Sequence, residues 1–145
     1  MSEKTRPLGA LEDLRFEVDD GVALVTLDRP AQRTALSGPL GRGLGAVYRA
    51  CDANDASRAV VGTGAGDAFC TGADMSAGEE TFGKPGEEFS ASAVQPPAWE
   101  VRKPVIAAMN GHAVGLGLTL SLQCDVRIMA REGKYGVLQV RRGVM

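Results

Sequence analysis

Residues 103–125, with the sequence KPVIAAMNGHAVGLGLTLSLQCD, contain the pattern that most restricts how this chain folds. The apolar run at 105–109 has the length and composition of a strand that is buried on both faces. Residues 110–111, Asn-Gly, end the run because both residues tolerate positive φ. Gly115 and Gly117 then open an uncharged apolar segment, which predicts a buried helix whose first turn contains both glycines. The pattern is therefore a strand, a tight turn and a helix start.

This helix start has two interpretations. The first N–H groups of a helix have no intrahelical partner, and together with the positive end of the helix dipole they suit an oxygen that becomes negative during a reaction. Glycine also allows two layers of backbone to approach closely, so packing alone explains the same residues. Taken by itself, the pattern predicts either an anion-binding helix start or a close contact between layers.

The rest of the chain predicts alternating strands and helices, and therefore an α/β fold. The other predicted strands are short apolar or β-branched runs at 14–18, 22–27, 59–61, 126–130 and 134–137. A helix is predicted from Pro39 to about residue 54, where apolar residues recur at helical spacing, and a shorter helix is predicted at 98–102. Residues 1–13 are predicted to form a flexible lead-in, and residues 76–97, rich in Gly, Ser, Glu and Pro, a mobile loop.

The composition argues against several classes of function. A length of 145 residues fits one domain with a substantial core. A net charge of −2 gives no electrostatic reason to bind nucleic acid or an anionic membrane. No apolar run is long enough for a membrane span, and residues 1–7 lack the apolar centre of a secretion signal. Three cysteines and one histidine show no metal-ligand spacing, so we expect no metal, free thiols and a cytoplasmic location.

Three other features have both a functional and a structural interpretation. Residues 62–66, Gly-Thr-Gly-Ala-Gly, follow a strand as a dinucleotide-binding loop does, but that motif needs a helix that starts at the glycines. His112 is a candidate catalytic residue, although a lone histidine at a turn is more often structural. Cys70 is a candidate nucleophile, but its motif contains no candidate base. The sequence favours the structural interpretation for all three features.

Three blocks in one unbroken order resemble the enoyl-CoA hydratase/isomerase (crotonase) superfamily. They are residues 25–30 with Ala35-Leu36, residues 64–75 and residues 103–125, continued by Lys134-Tyr135-Gly136 and Arg142-Gly143. The resemblance implies an α/β fold, a crotonase-like spiral of ββα units with two nearly perpendicular sheets. It also implies that the chain is a partial acyl-CoA-binding core over residues 14–145, truncated before the family's C-terminal helical region.

The resemblance assigns roles to particular residues. By position, the backbone N–H groups of Ala73 and Leu116 would stabilise the enolate-like oxyanion of an acyl-CoA thioester. The coenzyme A adenine would lie against the segment formed by Ala73, Asp74, Met75 and Ser76. Arg29 would face the coenzyme A phosphates, with Arg33 as a second candidate. Because coenzyme A enters as part of the substrate, no separate cofactor is expected.

The sequence departs from the family pattern at two positions. Hydratases of the family use two glutamates, and the matching positions here are Thr119 and Gln139. Neither side chain exchanges a proton near neutral pH, and loss of a general acid/base costs about a hundred- to ten-thousand-fold in rate. Efficient water addition by the two-glutamate mechanism is therefore not expected. Thr119 and Gln139 would instead orient water or substrate.

The resemblance predicts an enoyl-CoA hydratase or isomerase of fatty acid metabolism, and the alternative is a non-catalytic acyl-CoA-binding protein or an inactive remnant. Family members continue past the position of Met145, so we expect a fragment of a longer gene product or a degenerate gene. A full-length protein would form a homotrimer or a dimer of trimers. A chain that ends inside the core would expose apolar surface and associate with itself.

Overall fold

Two β-sheets and two α-helices make up the described part of the computed structural model, which covers residue 8, residues 11–76 and residues 94–143. In chain order the strands are β1 (Leu14–Asp19), β2 (Val22–Leu27), β3 (Ala59–Gly64), β4 (Ala68–Cys70), β5 (Val105–Met109), β6 (His112–Val114), β7 (Val126–Met129) and β8 (Tyr135–Gly136). The helices are α1 (Gly38–Ala53) and α2 (Leu116–Leu122), and short 3₁₀ turns lie at Pro30–Gln32, Ala98–Glu100 and Gln139–Arg142. The predicted α/β class is confirmed.

The larger sheet has five strands in the order β1-β2-β3-β5-β7. β1 and β2 form the predicted antiparallel hairpin, and Asp20 and Gly21 between them both have positive φ, as a two-residue type I′ turn requires. All other neighbours in this sheet are parallel. Each of those pairs therefore needs a crossover connection, and α1 supplies the one between β2 and β3.

Helix α1 begins where the sequence predicts it. The Ser37 hydroxyl accepts a hydrogen bond from the Leu40 N–H, and Pro39 lies in the first turn, where its missing N–H would have no intrahelical partner. At the other end, Lys103 Nζ donates to two backbone carbonyl oxygens, which places a cation at the negative end of the helix. The buried face of α1 consists of Leu40, Leu44, Val47, Tyr48 and Cys51, which join the hydrophobic core. Neither helix of the described residues is long and apolar enough to cross a bilayer.

The smaller sheet contains three parallel strands in the order β4-β6-β8. Cys70 of β4 pairs with Ala113 of β6, and Ala113 pairs in turn with Tyr135 of β8. The sequence predicts β8 but not β4 or β6, because β4 and β6 lie in glycine-rich stretches whose pattern indicates turns. The tight turn predicted after β5 is present at residues 110–111, but it leads into β6, which lies between this turn and α2.

Three further predictions differ from the structure or fall outside it. Only residues 8 and 11–13 of the predicted lead-in are described, and Leu8 and Leu11 among them pack against the core, so the flexibility of residues 1–13 stays a prediction. Residues 77–93, most of the predicted mobile loop, lie outside the described residues. The helix predicted at 98–102 is a single 3₁₀ turn, because prolines before and after this stretch restrict its extension.

The strand β7 at the edge of the larger sheet is exposed along its whole length. Its sequence is Val-Arg-Ile-Met, and the side chain of Ile128 is 65% exposed. Successive side chains of a strand point to opposite faces, so both faces of β7 are open within the described part of the chain. Strands of parallel sheets are normally covered on both faces. An exposed apolar edge of this kind is a site of association with other chains.

The 145-residue chain is therefore expected to associate with itself at micromolar concentrations through β7. Ile128→Lys should lower the association, because a charge on the edge opposes strand-to-strand contact. Val22→Lys is the matched control, since Val22 is an exposed apolar residue at the start of the interior strand β2. Sedimentation velocity on the three proteins measures the effect. A monodisperse, cooperatively melting wild-type monomer would contradict the prediction.

Candidate functional site

The three strands of the smaller sheet end at one edge, and the candidate residues follow them there. Because β4, β6 and β8 are parallel, their carboxyl ends meet at the same edge. Cys70 pairs with Ala113, and Ala73 and Leu116 each follow their paired residue by three positions. Gln139 follows Gly136, the last residue of β8, by the same number. The parallel register therefore brings Ala73, Leu116 and Gln139 to one edge.

The Ala73 N–H is directed away from the neighbouring backbone. Ala73 forms an isolated parallel bridge with Leu36, in which the Leu36 N–H donates to Gly72 O at 2.7 Å and the Asp74 N–H donates to Leu36 O at 3.0 Å. The Gly72 carbonyl and the Ala73 N–H belong to one planar trans peptide and point in opposite directions. The Ala73 N–H therefore faces away from Leu36, and no acceptor among the described residues takes it.

The Leu116 N–H is the first unpaired donor of α2. Gly115 has a φ of 57°, and its own N–H donates to Gly136 O at 2.9 Å. The first bond along the helix runs from the Thr119 N–H to Gly115 O at 3.1 Å. Leu116 begins the helix, so its N–H has no intrahelical acceptor. The predicted helix start with free N–H groups is confirmed.

Two close contacts hold the donor segments together. A Cβ atom built on Gly117 would lie 1.8 Å from Cys70 O, far closer than real side-chain carbons approach. A Cβ built on Gly72, whose φ is +105°, would lie 3.3 Å from Val114 O. The start of α2 therefore packs directly on the backbone at the end of β4. The packing explanation and the anion-site explanation of the glycines are thus compatible, because Gly117 provides the contact that places Leu116.

Gln139 lies beside the loop that carries Leu116. A Cβ atom on Gly115 would lie 3.7 Å from Gln139 Nε2. The Gln139 Oε1 atom is buried and has no hydrogen-bond partner among the described residues. A buried amide oxygen without a partner is costly, so this side chain is suited to a ligand that donates a hydrogen bond.

Thr119 uses its hydroxyl within α2. Its Oγ1 donates to Leu116 O at 2.9 Å, and its side chain is only partly buried. The oxygen keeps lone pairs for a further hydrogen bond. The roles of Thr119 and Gln139 in orienting water or substrate stay predictions.

Arg29 is held within the fold by three partners. Its Nε lies 3.2 Å from Asp13 Oδ2, its Nη2 lies 3.1 Å from Asp74 Oδ2, and its Nη1 donates to Ala35 O at 2.5 Å. The side chain is 13% exposed, whereas Arg33 is exposed. The phosphate-binding role of Arg29 stays a prediction, but its charge is already balanced by two carboxylates. The sequence predicts no part for Asp13, because a contact between distant charged residues leaves no local pattern.

The segment after Ala73 turns at Asp74. Asp74 Oδ1 accepts a hydrogen bond from the Ser76 N–H at 3.0 Å, which forms an Asx turn. Hydrogen bonds from the Ser76 backbone and side chain, followed by the Arg29 guanidinium, hold the pKa of Asp74 below its usual value. Met75 is 53% exposed beyond this turn. An ionised, fixed Asp74 and an exposed apolar Met75 therefore border the Ala73 donor.

The other candidate groups have structural roles. Burial raises the pKa of the Cys70 thiol to about 11, so it stays protonated near neutral pH. His112 Nδ1 accepts a hydrogen bond from the Lys134 N–H at 3.0 Å. Residues 62–66 run from β3 into a turn and then β4, and no helix starts at their glycines, as a dinucleotide loop would require. The described residues contain no group of three or more potential metal ligands.

A family model described as enoyl-CoA hydratase/isomerase matches residues 17–145. The chain belongs to the enoyl-CoA hydratase/isomerase family. The predicted crotonase resemblance is confirmed, and the crystal structure of a probable enoyl-CoA hydratase/isomerase from Mycobacterium abscessus has the same fold. That structure is 54% identical, has a TM-score of 0.85, and is matched over 90% of this chain and 51% of its own.

Curated relatives of the family match the same region. The enoyl-CoA hydratase ACTT3 of Alternaria alternata is 36% identical in an alignment of 128 positions that covers 87% of this chain and 43% of that protein. The (E)-benzylidenesuccinyl-CoA hydratase of Thauera aromatica is 37% identical in an alignment of 132 positions that covers 87% of this chain and 50% of that protein. The chain therefore spans about half the length of these members of the enoyl-CoA hydratase/isomerase family.

Proposed function

We propose that this chain binds an acyl-CoA thioester and polarises its carbonyl group, as part of an enoyl-CoA hydratase or isomerase. The backbone N–H groups of Ala73 and Leu116 would donate to the thioester oxygen. The observation that supports this most strongly is that two peptide N–H groups at one edge of the smaller sheet have no acceptor among the described residues. The contact between Gly117 and Cys70 O keeps their segments together.

These donors would act on the charge that develops during the reaction. When a nucleophile adds to the double bond, or a proton leaves the carbon next to the thioester, negative charge moves onto the carbonyl oxygen. Fixed N–H groups stabilise that charge without rearranging, and removal of one such donor typically costs about a hundred- to a thousand-fold in rate. The proton would move to or from a group other than Gln139 or Thr119, which have no proton to exchange near neutral pH.

The proposal includes the remaining parts of the complete protein. Coenzyme A would enter as part of the substrate, with its adenine against residues 73–76, where the Asp74 turn leaves Met75 exposed. The family resemblance supports a cytoplasmic homotrimer, or a dimer of trimers, that acts in fatty acid metabolism. The exposed β7 strand is consistent with further protein covering this edge. Native mass spectrometry of the protein isolated from its natural source would test the assembly directly.

A second candidate function is acyl-CoA binding without catalysis. It is favoured by the threonine and the glutamine at the positions of the two family glutamates. Both candidates predict binding of a thioester, but only the first predicts that the complete protein turns over an unsaturated acyl-CoA.

The deciding experiment uses an α,β-unsaturated thioester as both ligand and reporter. Cinnamoyl-CoA is a conjugated chromophore, so polarisation of its carbonyl should shift its absorbance to longer wavelength. The expected result for the complete protein is saturable binding, a red shift, and turnover of crotonyl-CoA. Binding without a shift or turnover would support the non-catalytic candidate, and absence of binding would refute both.

A further inference from the structure

We propose that Arg29 is a positioning residue for the Ala73 N–H, and that it acts through Asp74. The inference rests on the proposed function, since it assigns a task to Arg29 in the same site. It replaces phosphate binding with a different role, which the contacts of Arg29 support.

Arg29 is anchored to the scaffold before it reaches the site. It follows the end of β2, and its Nε is paired with Asp13 just before β1. Its Nη1 donates to Ala35 O, which belongs to the residue before Leu36. Two guanidinium nitrogens, Nε and Nη1, therefore fix the plane of the group, and the third nitrogen, Nη2, contacts Asp74.

Asp74 closes a ring of contacts beside the peptide that carries the Ala73 N–H. Its carboxylate meets Arg29, while its backbone N–H donates to Leu36 O. The Leu36 N–H donates to Gly72 O on the other side of Ala73. The ring therefore runs from Arg29 through Asp74, Leu36 and Ala35 back to Arg29. The Gly72–Ala73 peptide, which carries the donor N–H, lies next to this ring and is joined to it by the hydrogen bond from the Leu36 N–H to Gly72 O.

The orientation of this peptide needs such support. Gly72 has a φ of +105°, a conformation that glycine adopts easily. Because glycine has no Cβ, Gly72 gives little steric resistance to rotation of the Gly72–Ala73 peptide. The bridge between Leu36 and Ala73 is isolated and is not continued by a longer strand pair. Without the ion pair, the two backbone hydrogen bonds to Leu36 would remain next to the Ala73 peptide, but the direct link from the scaffold to the Asp74 side chain would be lost.

The charge balance separates this role from phosphate binding. Arg29 faces two carboxylates, so the cluster of Arg29, Asp13 and Asp74 carries a net negative charge when all three are ionised. Such a cluster gives no local attraction for an anionic phosphate. Loss of Arg29 should consequently leave the affinity for coenzyme A unchanged while the polarisation of the thioester falls.

The test compares Arg29→Met and Asp74→Asn in the complete protein, with Arg15→Met as the matched control. Arg15 also makes a single Nε contact to an aspartate, Asp28 at 3.1 Å, but this pair is exposed and lies outside the ring. The measurements are the dissociation constant for coenzyme A by calorimetry, the absorbance shift of bound cinnamoyl-CoA, and kcat and KM. Asp74→Asn keeps the contacts of Arg29 with Asp13 and Ala35. It therefore tests the contact between Arg29 and Asp74 even if Arg29→Met fails to fold.

The expected result is a loss of most of the red shift and about a ten- to hundred-fold lower kcat in both variants. The dissociation constant for coenzyme A should stay within about two-fold in Arg29→Met, and Arg29→Lys should recover part of the shift because it keeps the charge but not the fork. The double variant should have a kcat no lower than that of the less active single variant, because both substitutions break the same contact between Arg29 and Asp74.

Variants that keep the red shift and lose coenzyme A affinity, or that behave like Arg15→Met, would overturn the inference. A wild-type protein with no shift would instead refute the proposed function.

Discussion

Gly117→Ala is expected to remove at least 99% of the turnover of the complete protein, by analogy with the loss of about a hundred-fold or more that follows removal of one oxyanion donor. The added Cβ would lie 1.8 Å from Cys70 O and 2.9 Å from Cys70 Cβ, and the nearer of these atoms is backbone. The start of α2 must therefore move away from β4, and Leu116, the preceding residue, moves with it. Overpacking of this kind also costs about 1–3 kcal/mol of stability.

Gly43→Ala is the matched control for this substitution. A Cβ on Gly43 would meet only methyl groups of Leu11 and Leu14, both at 3.8 Å, which is ordinary contact. Glycine inside a helix is less favourable than alanine by about 0.5–1 kcal/mol, so this variant should melt at the wild-type temperature or above. The measurements are the melting temperature and kcat with crotonyl-CoA. If Gly117→Ala retained both values, the contact between α2 and β4 would not control the site.

Gln139→Glu is expected to raise the hydratase activity of the complete protein by about ten- to hundred-fold. The side chain lies beside Gly115 and its Oε1 is buried, so a carboxyl group there would be near the Leu116 donor. Burial favours the neutral form of a carboxyl group and raises its pKa toward neutrality, where it can exchange a proton with water or substrate. The gain should be partial, because Thr119 still occupies the position of the second family glutamate.

Gln123→Glu tests whether the gain comes from the location rather than from the charge. Gln123 also has a buried Oε1 without a described partner, but it lies at the C-terminal end of α2, away from the Leu116 N–H. It should carry the cost of a buried carboxylate without a gain in activity. Rates of hydration of crotonyl-CoA across a pH series would separate the two variants. No gain for Gln139→Glu in a protein that still binds and polarises the thioester would point to chemistry other than hydration.

The sequence predicts the elements that have a strong local pattern. The β1–β2 hairpin follows from alternation around a turn with glycine, and α1 follows from its cap, its proline and its apolar spacing. β4 and β6 were not predictable because each is short and lies between glycines, where the local pattern indicates a turn. Their pairing is also parallel, so it joins residues that are far apart in the chain and have no shared local motif.

The candidate site was predictable to a similar extent. The glycines around Leu116 and before Ala73 mark a helix start and a turn, and both are present. The environment of Arg29 was not predictable, because its partners Asp13 and Asp74 come from separate parts of the chain. The family resemblance implies a contact with phosphate, whereas only the three-dimensional arrangement shows which groups the guanidinium contacts within the fold.

Because the proposed donors are peptide N–H groups, the backbone of Ala73 and Leu116 would activate the thioester, while their side chains can set the preference for the acyl group. The side chains of Ala73 and Leu116 are each only partly buried, and neither is needed for the hydrogen bond to the thioester. Both positions are therefore free to diverge during evolution, provided that the backbone path through Gly72, Gly115 and Gly117 is retained. Substitution of these two side chains is a route to new acyl-group preferences that leaves the activating atoms in place.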